Sequence, residues 1–355
     1  MELDVPVEII TIIVGISWIP WIFRFTWSSI IDYFGSHTRK TFVLVGGLFG
    51  AFCFFALYFI DPVEHLLIFA ILQMAGHVGI TFLMSASSAW AIDICSENER
   101  GKASGALKAG EAISFGLTAV VFSQIALNFG YRIIFPITAV GIFLFLILPL
   151  ITNEVKIKRK REKISSKVIA ELRKKTTQLI AILGPIISIS GGITIIAAPI
   201  FASEFLKLNV AQIGIVSAIG LLIGIPSSYI GGYLADKKGR KQTMYIAIIP
   251  NTILFLSLIF FEDILILLPY FIIIFLGHFV TASLLAMYMD ATNKKIAATQ
   301  FSLFVSIANI GYCGGSAITG ILIKNIGFNG LFIILALTNI ISLLYLRYMK
   351  LESKP

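Results

Sequence analysis

Charge is what this sequence has least of. Only 13% of its 355 residues are Asp, Glu, Lys or Arg, whereas 57% are hydrophobic, and the mean hydropathy is +0.93. A soluble domain has about a quarter of its residues charged. The apolar residues form continuous runs of about 20 or more, the length that an α-helix needs to cross the hydrocarbon core of a bilayer. The composition therefore excludes a soluble protein and predicts an all-α polytopic membrane protein.

Residues that support catalysis or metal binding are also few. The three cysteines, Cys53, Cys95 and Cys313, are far apart, which excludes a disulfide framework and a zinc-ligand spacing. The four histidines are scattered as well, and the sequence has no HExxH, GxSxG or GxxxxGK[ST] motif. We therefore expect no metal or other cofactor and no hydrolysis of ATP, and we favour a protein that is not an enzyme.

Eleven apolar runs are long enough to be membrane-spanning helices. They lie at about 7–33, 41–60, 66–92, 103–128, 131–152, 178–203, 210–235, 242–261, 264–290, 296–322 and 328–347. The first run is too long for a cleavable signal peptide and has no basic residues before it, so we expect it to be a transmembrane helix.

Basic residues are concentrated in one segment. Residues 154–175 (EVKIKRKREKISSKVIAELRKK) contain ten Lys or Arg and three Glu, in a chain whose net charge is +9. If this linker is cytoplasmic, the segments on its side of the membrane hold 24 Lys or Arg, and the opposite segments hold three. The positive-inside rule then places the N-terminus outside and the C-terminus inside the cytoplasmic membrane. Charge this localised argues against a nucleic-acid partner and favours contact of the partly amphipathic linker with anionic lipid.

The sequence contains an internal repeat, which divides it into two halves. Asp32-Tyr33-Phe34-Gly35 and Asp236-Lys237-Lys238-Gly239 share the spacing Asp-x-x-Gly, and each precedes an Arg-Lys pair. Further along each half, Asp93 and Asp290 end corresponding apolar runs. A repeat of this kind is typical of membrane proteins whose two halves move relative to each other.

The repeat predicts two unequal transmembrane halves. A first half of five helices at 1–152 is joined by a basic cytoplasmic linker at 153–177 to a second half of six helices at 178–348, and a cytoplasmic tail follows at 349–355. Two spans precede the Asp-x-x-Gly motif in the second half, whereas one span precedes it in the first half. We therefore expect a 6 + 6 architecture whose first helix is absent from this chain.

The charged turns around the two motifs have two interpretations. Lysines that follow a helix end anchor it at the membrane surface, which accounts for Lys237, Lys238 and Lys241. Anchoring does not account for the acids Asp32 and Asp236, because they oppose the excess of basic residues at this boundary. A carboxylate there can instead bind arginine or the amide groups of a neighbouring helix. We therefore expect a conformational latch that forms when the cytoplasmic side closes and breaks when it opens. Its expected members are Asp32, Arg39, Asp93, Arg100, Gly232, Asp236, Gly239, Arg240 and Asp290.

The stretch GGYLADKKGRK at 231–241 resembles the loop signature of the major facilitator superfamily, G-x-x-x-D-[RK]-x-G-R-[RK]. All six fixed positions of the signature match. In the first copy, Ser28 replaces the leading glycine and residues 36–38 lengthen the turn. The resemblance implies a bundle of two helical halves that works as a secondary transporter.

Three stretches are similar to a narrower branch of this superfamily, the muropeptide permeases and the related acetyl-coenzyme A transporters. They are WIPWIFRFTWSSIIDYFG (18–35), DICSENERG (93–101) and NKKIAATQFSLFVS (293–306). That branch has an aromatic–basic pair after the glycine of its fifth helix, where this chain has Glu111-Ala112 after Gly110. The difference argues against a muropeptide as the substrate.

Ionisable residues inside a span are costly in hydrocarbon and are therefore functional candidates. Arg24 lies eight residues before the first Asp-x-x-Gly motif, about 12 Å into the membrane, where it attracts an anionic substrate or pairs within the bundle. Glu111 lies at a similar depth and either exchanges a proton during transport or pairs with Lys108. His77 and His278 occupy corresponding runs of the two halves, where substrate binding and simple packing are the alternatives.

One apolar run has features that disfavour a continuous helix. The run at 178–203 contains Pro185, Pro199 and the pair Gly191-Gly192, so we expect a broken helix that lines a cavity. Asn309 and Tyr312, which share a later run, are expected to face a cavity.

Together these observations predict a secondary active transporter that moves a small polar or anionic solute and uses the proton gradient. It would work by rocking two halves around a central site. Its expected partners are the solute, protons and the lipid bilayer, and we expect a monomer. Two alternatives stay open. A membrane enzyme that acts on a lipid-linked substrate would need a cluster of catalytic groups, and a membrane sensor would bind a ligand without moving it.

Overall fold

The computed structural model describes residues 6–34, 39–94, 100–153, 170–261, 263–292 and 297–349. Side chains are described for these residues except 28, 29, 32–34, 88, 89, 91–94, 100–112 and 297–299. The regular structure of the described residues is helical throughout, which confirms the predicted all-α class. Helices occur in both of the predicted halves.

The first half contains seven helical segments. They are α1 (Val7–Ser17), α2 (Ile19–Ile22), α3 (Arg24–Phe34), α4 (Arg39–Leu57), α5 (Leu66–Ile94), α6 (Arg100–Phe129) and α7 (Ile134–Ile151). The second half contains α8 (Lys175–Glu204), α9 (Val210–Lys238), α10 (Arg240–Ser257), α11 (Leu267–Ala291) and α12 (Ala297–Tyr348). Short 3₁₀ turns at Tyr131–Ile133, Leu258–Phe260 and Ile264–Ile266 adjoin α7, α10 and α11.

The last helix, α12, is bent into two arms. It has 52 residues, which would measure about 78 Å if straight, more than twice the thickness of a hydrocarbon core. Gly327 interrupts it with φ 66° and ψ −177°, a backbone conformation that only glycine adopts easily. The arms, 297–326 and 328–348, correspond to the last two predicted spans. Nine stretches of the described residues are long and apolar enough to cross a membrane, with α12 counted once, so the total of eleven stays a prediction.

The expected break in the 178–203 run is wrong. Pro185 and Pro199 both lie inside α8, which is continuous from Lys175 to Glu204. Each proline removes one backbone hydrogen bond of the helix. The helix can stay continuous where a neighbouring helix packs against it. That neighbour is α12, whose Gly311 packs directly on the carbonyl group of Pro185. Gly192 packs against Tyr312 in the same way, so the glycine pair serves close helix packing.

The broken helix is instead the first one. The run predicted as a single span at 7–33 is divided at Trp18 and Phe23 into α1, α2 and α3. Pro20 is at the start of α2 and cannot donate a backbone hydrogen bond. Around it the chain tightens to i→i+3 bonds, from Trp18 N to Gly15 O (3.2 Å) and from Trp21 N to Trp18 O (3.0 Å).

Glycines allow the closest helix contacts within each half. In the first half, Gly79 of α5 packs on Gly50 and Gly46 of α4, so that a Cβ on Gly79 would lie 2.5 Å from the Gly50 nitrogen. In the second half, Gly224 of α9 packs against the His278 ring of α11, again at 2.5 Å from the position of a Cβ. Small residues at such positions let transmembrane helices approach without a hydrophobic driving force.

The second half has the larger buried core among the described residues. One cluster packs around Met244, Ile248, Leu284 and Phe304, and a second packs around Phe255 and its neighbours. The first half has a smaller cluster that includes Ile31, Val43, Leu83 and Leu146. The halves meet where α1 and α2 run beside α12 and where α6 runs beside α9.

Candidate functional site

Five residue pairs join the first helix of the first half to the first arm of α12. They are Glu8–Lys324, Thr11–Gly320, Gly15–Ala317, Trp18–Tyr312 and Trp21–Asn309. The residue numbers rise along one helix as they fall along the other, so the two helices are antiparallel. We call these five pairs the α1–α12 interface. It extends about 20 Å from Glu8 to Trp21, which is about two thirds of the thickness of a hydrocarbon core.

The end of the α1–α12 interface at Glu8 is closely packed. A carboxylate oxygen of Glu8 lies 2.5 Å from Lys324 Nζ. Next along the helix, the hydroxyl group of Thr11 accepts a hydrogen bond from the Gly320 amide at 3.2 Å. A Cβ on Gly15 would lie 2.5 Å from the Ala317 methyl group, so the backbones touch here. No solute could pass between α1 and α12 at this end without separating them.

The inner end of the α1–α12 interface is aromatic and polar. The Trp18 ring packs edge-on against Tyr312, with ring centroids 5.0 Å apart, and it also contacts Trp21 at 5.6 Å. The side-chain amide of Asn309 donates a hydrogen bond of 3.1 Å to the carbonyl oxygen of Trp21. The break between α2 and α3 at Phe23 lies two residues after Trp21, so Asn309 of the opposite half binds the backbone beside the irregular segment.

His77 of α5 completes this aromatic group. The indole N–H of Trp21 donates to His77 Nδ1 at 3.4 Å. Two further rings surround the imidazole, Trp18 at 6.2 Å and Phe54 of α4 at 5.9 Å between centroids. We call Trp18, Trp21, His77, Asn309 and Tyr312 the central cluster. Its members are half-buried and come from α2, α5, α12 and the break between α1 and α2, and thus from both halves.

The sequence predicted three members of the central cluster and missed two. His77, Asn309 and Tyr312 were candidates, but their convergence depends on the two tryptophans that join them. Trp18 and Trp21 flank Pro20, and a proline inside an apolar run was the available signal for an irregular, functional segment. The run at 178–203 has more prolines and glycines, so the break was expected there and not at Pro20.

Three other residues that the sequence predicted as candidates are not members of the central cluster. Arg24 is half-buried at the start of α3, one turn after Trp21. His278 packs against Gly224 within the second half, where its ring fills the space that a side chain would occupy. The side chain of Glu111 lies outside the described part of the structure, so its predicted role stays a prediction.

The second contact between the halves joins α6 to α9. Gly214 of α9 packs on Ser123 and Ala119 of α6, and a Cβ on Gly214 would lie 2.5 Å from the Ala119 carbonyl oxygen. Gly232 follows eighteen residues later, which is five helical turns, and therefore lies on the same face of α9. No described atom lies within 4 Å of the position of a Cβ on Gly232.

In the second half, the three charged residues of the predicted latch are in direct contact. Arg240, at the start of α10, forms an ion pair with Asp236 at the end of α9, and its Nε donates to Asp290 of α11 at 3.0 Å. Gly239 joins α9 to α10 with φ 90°, which requires glycine, and its carbonyl group accepts a hydrogen bond from the Thr243 amide. One guanidinium group therefore links three helices.

In the first half, the structure describes only part of the equivalent group. Arg39 is 2% exposed and donates from Nη1 to the Ile31 carbonyl oxygen at 3.0 Å, near the C-terminal end of α3. A cation at that end of a helix is favourable because the last carbonyl groups carry a partial negative charge. The side chains of Asp32, Asp93 and Arg100 lie outside the described part of the structure, so their roles in the latch stay predictions.

A cavity of about 60 Å³ lies apart from the central cluster, within the second half. Its walls are mostly apolar and include Phe201, Phe255 and Tyr270. An apolar cavity of this size has few groups that would orient a polar solute. The central cluster is therefore the better candidate for solute binding.

A family model, a curated relative and a solved structure are similar to this chain. The family model described as "Major Facilitator Superfamily" matches residues 2–316 and 180–355. A curated relative, the uncharacterized MFS-type transporter YdeE of Escherichia coli (strain K12), is 28% identical over 153 residues. This match covers 43% of this chain and only 38% of the relative. The crystal structure of a D-xylose-proton symporter superposes on this chain with a TM-score of 0.82 at 14% identity. The superposition covers 96% of this chain and 87% of the symporter chain.

Proposed function

Because this chain belongs to the Major Facilitator Superfamily, we propose that it is a secondary active transporter. In this proposal it moves a small polar or anionic solute across the cytoplasmic membrane by alternating access and uses the proton gradient. It acts as a monomer, with the N-terminus of this chain outside and the C-terminus inside. The similarity to an MFS-type transporter and the fold shared with a proton symporter favour transport over the enzyme and sensor alternatives.

The observation that supports this function best is the location of the central cluster. Hydrogen-bonding groups and aromatic rings from both halves meet about 20 Å along the helix from Glu8, in the middle of otherwise apolar helices. A solute at this position contacts both halves at once. Its binding energy can therefore favour one relative position of the halves over another.

The two ends of the molecule have different roles in this mechanism. With the proposed orientation, the Glu8–Lys324 pair and the Gly214 contact close the outer side. The contacts of Asp236, Arg240 and Asp290 lie at the cytoplasmic side and are all within the second half. The complete latch of the proposal also includes residues of the first half, and it forms when the cytoplasmic side closes and breaks when it opens. Gly232, on the face of α9 that contacts α6, allows the close approach of the halves when the cytoplasmic side shuts.

The finer assignment is also a proposal. We place the chain in the branch of the muropeptide permeases and acetyl-coenzyme A transporters, with Arg24 attracting an anionic group of the solute. The Glu111-Ala112 pair, where that branch has an aromatic and a basic residue, argues for a solute other than a muropeptide. Glu111 itself remains a candidate for proton exchange.

Solute-induced proton flux in proteoliposomes tests the proposal. A panel of sugars, amino sugars, short peptides and organic anions is added while an internal dye reports pH, with the wild-type chain, Glu111→Gln and Arg24→Gln.

Proton flux induced by one class of solute confirms proton-coupled transport. Loss of that flux in Glu111→Gln assigns proton exchange to Glu111, and persistence removes it from this role. Loss of response to anions alone in Arg24→Gln assigns charge selection to Arg24. Uptake of labelled solutes without proton movement contradicts proton coupling, and absence of any uptake contradicts transport.

A further inference from the structure

His77 has contacts that a packing residue does not need. Its Nδ1 atom accepts a hydrogen bond from Trp21, and Trp21 is in turn held by Asn309 of the other half. We propose that His77 is a proton-binding site whose occupancy controls the α1–α12 interface. The inference rests on the proposed transport function, for which it would supply the coupling site, although the binding of the proton itself can be tested without transport.

The hydrogen bond determines which protonation state fits this structure. An indole N–H only donates, so the Nδ1 atom of His77 must be the acceptor, and the proton of the neutral ring is on Nε2. A second proton would bind to Nδ1, which then becomes a donor that faces the Trp21 donor across 3.4 Å. Protonation therefore breaks this contact, with one proton taken up and no other bond changed.

The aromatic rings around His77 can stabilise the positive charge of the protonated imidazole. The Trp18 and Phe54 rings lie 6.2 Å and 5.9 Å from the imidazole, between centroids. Aromatic faces attract cations, and tryptophan is the strongest of them. A charged His77 can thus remain in the central cluster after it has lost the Trp21 hydrogen bond.

Trp21 connects this event to the opposite half of the protein. Its side chain contacts His77 in its own half, and its carbonyl group binds Asn309 of α12. The backbone around Trp21 is already broken at Trp18 and Phe23, so the residue can move without disrupting a continuous helix. Release of the indole loosens Trp18 and Tyr312 as well, because Trp18 packs against both Trp21 and Tyr312.

Other ionisable groups near His77 affect the strength of proton binding. Tyr312 reaches the cluster from α12 and is uncharged at neutral pH. Arg24 follows Trp21 by one turn on α3, and its positive charge opposes a second one on His77. Cys53 of α4, next to Phe54, is buried. Glu111 of α6 would favour the charged form if it lies close, but its side chain is outside the described residues.

Tryptophan fluorescence of the purified full chain provides the test. The sequence has four tryptophans, and two of them contact His77. A protonated imidazole quenches a neighbouring indole, so fluorescence should decrease in one transition as the pH is lowered. We expect this transition in the wild-type protein and in the control His278→Gln, and we expect His77→Gln to remove it. Glutamine can still accept the Trp21 hydrogen bond, so this variant retains the neutral arrangement.

A second variant separates proton binding from packing. Trp21→Phe removes the donor that stabilises neutral His77, while Trp18 continues to report. The midpoint of the transition should move to higher pH by about half to one unit, the value of one typical hydrogen bond. If His77→Gln does not fold, the midpoint of the fluorescence transition in Trp21→Phe is sufficient to test the proposal. A transition that persists in His77→Gln, or a midpoint unchanged in Trp21→Phe, overturns the proposal.

The transport assay distinguishes this inference from the proposed function. In proteoliposomes, the number of protons moved per solute should fall at least tenfold in His77→Gln, and His278→Gln should keep the wild-type ratio. Coupled flux at the wild-type rate in His77→Gln contradicts the role of His77 and leaves the transporter assignment intact. Absence of solute movement in the wild-type protein contradicts the transporter assignment, whereas the fluorescence transition can still show that His77 binds a proton.

Discussion

Lys40 and Lys241 have the same structural role in the two halves. Lys40 Nζ donates to the carbonyl oxygens of Leu150 (2.9 Å) and Thr152 (3.2 Å), at the end of α7. Lys241 Nζ donates to the carbonyl oxygen of Met349 at 2.9 Å, just after the end of α12. Each lysine directly follows the arginine of its Arg-Lys pair and binds the last helix of its own half. The sequence repeat therefore corresponds to a repeat of contacts.

Arg240→Lys should weaken the latch although the charge is kept. The guanidinium group reaches Asp236 and Asp290 together, whereas an ammonium group acts as a point charge and cannot bridge both acids with the same geometry. We expect solute transport to slow about fivefold, the equivalent of about 1 kcal/mol for partly exposed pairs. Initial rates in proteoliposomes measure this effect. Lys237→Arg, in the same turn, is the matched control and should transport at the wild-type rate.

The sequence was sufficient for features that depend on local pattern. Apolar runs predicted the helices, and the Asp-x-x-Gly spacing predicted the turn in which Gly239 has φ 90° and Arg240 meets its two acids. Such features need only residues that are close in the chain or related by the repeat. Arg240 and Asp290 of α11 were both expected members of the latch, but their direct pairing is known only from the structure.

The central cluster could not be derived in full from the sequence. A proline bends a helix only where the neighbouring helices leave room, and α12 supports α8 at Pro185 through Gly311. The run around Pro20 is instead divided, and Asn309 of α12 binds the Trp21 carbonyl group there. Which of two proline-containing runs stays straight is decided by tertiary packing, and the contact between Trp21 and Asn309 across the halves follows from that choice.

Charge exchange should reveal the role of the Glu8–Lys324 pair. Glu8→Lys and Lys324→Glu each place like charges together and should open the proposed outer side, whereas the double variant restores the attraction. Thr11→Cys, in a chain whose three natural cysteines are replaced by serine, provides the reporter because Thr11 is 1% exposed. We expect a membrane-impermeant maleimide to label this cysteine at least fivefold faster in either single variant. Labelling in the double variant should return to the starting rate, and equally fast labelling in all three variants would contradict the role of the pair.

Gly214 and Gly232 lie on one face of α9 but should respond differently to a larger side chain. Gly214→Leu forces a side chain into Ala119 and Ser123, so the free energy of unfolding should decrease by about 2 kcal/mol. Gly232→Leu meets no described atom within 4 Å and should change the free energy of unfolding by less than about 0.5 kcal/mol. It should nevertheless slow transport, because the proposed closure of the cytoplasmic side needs a small residue there. Chemical denaturation and transport rates of the two variants separate these effects, and rapid transport by Gly232→Leu would argue against that closure.

Asp61 should make the loop between α4 and α5 sensitive to acid. The Val63 amide donates to its carboxylate at 2.8 Å, and this bond holds the pKa of Asp61 below its usual value, with further contributions from the Glu64 amide and Arg132. A lowered pKa in the folded state means that the contribution to stability is complete above the ordinary carboxyl pKa and is lost as the pH falls through the folded value. We therefore expect the difference in melting temperature between wild type and Asp61→Asn to be constant near neutral pH and to shrink as the pH falls below the ordinary carboxyl pKa of about 4. Thermal unfolding of the purified protein across this range measures it, with Asp263→Asn as the control. A difference that stays constant to the lowest pH would show that the ionised carboxylate of Asp61 does not stabilise the fold.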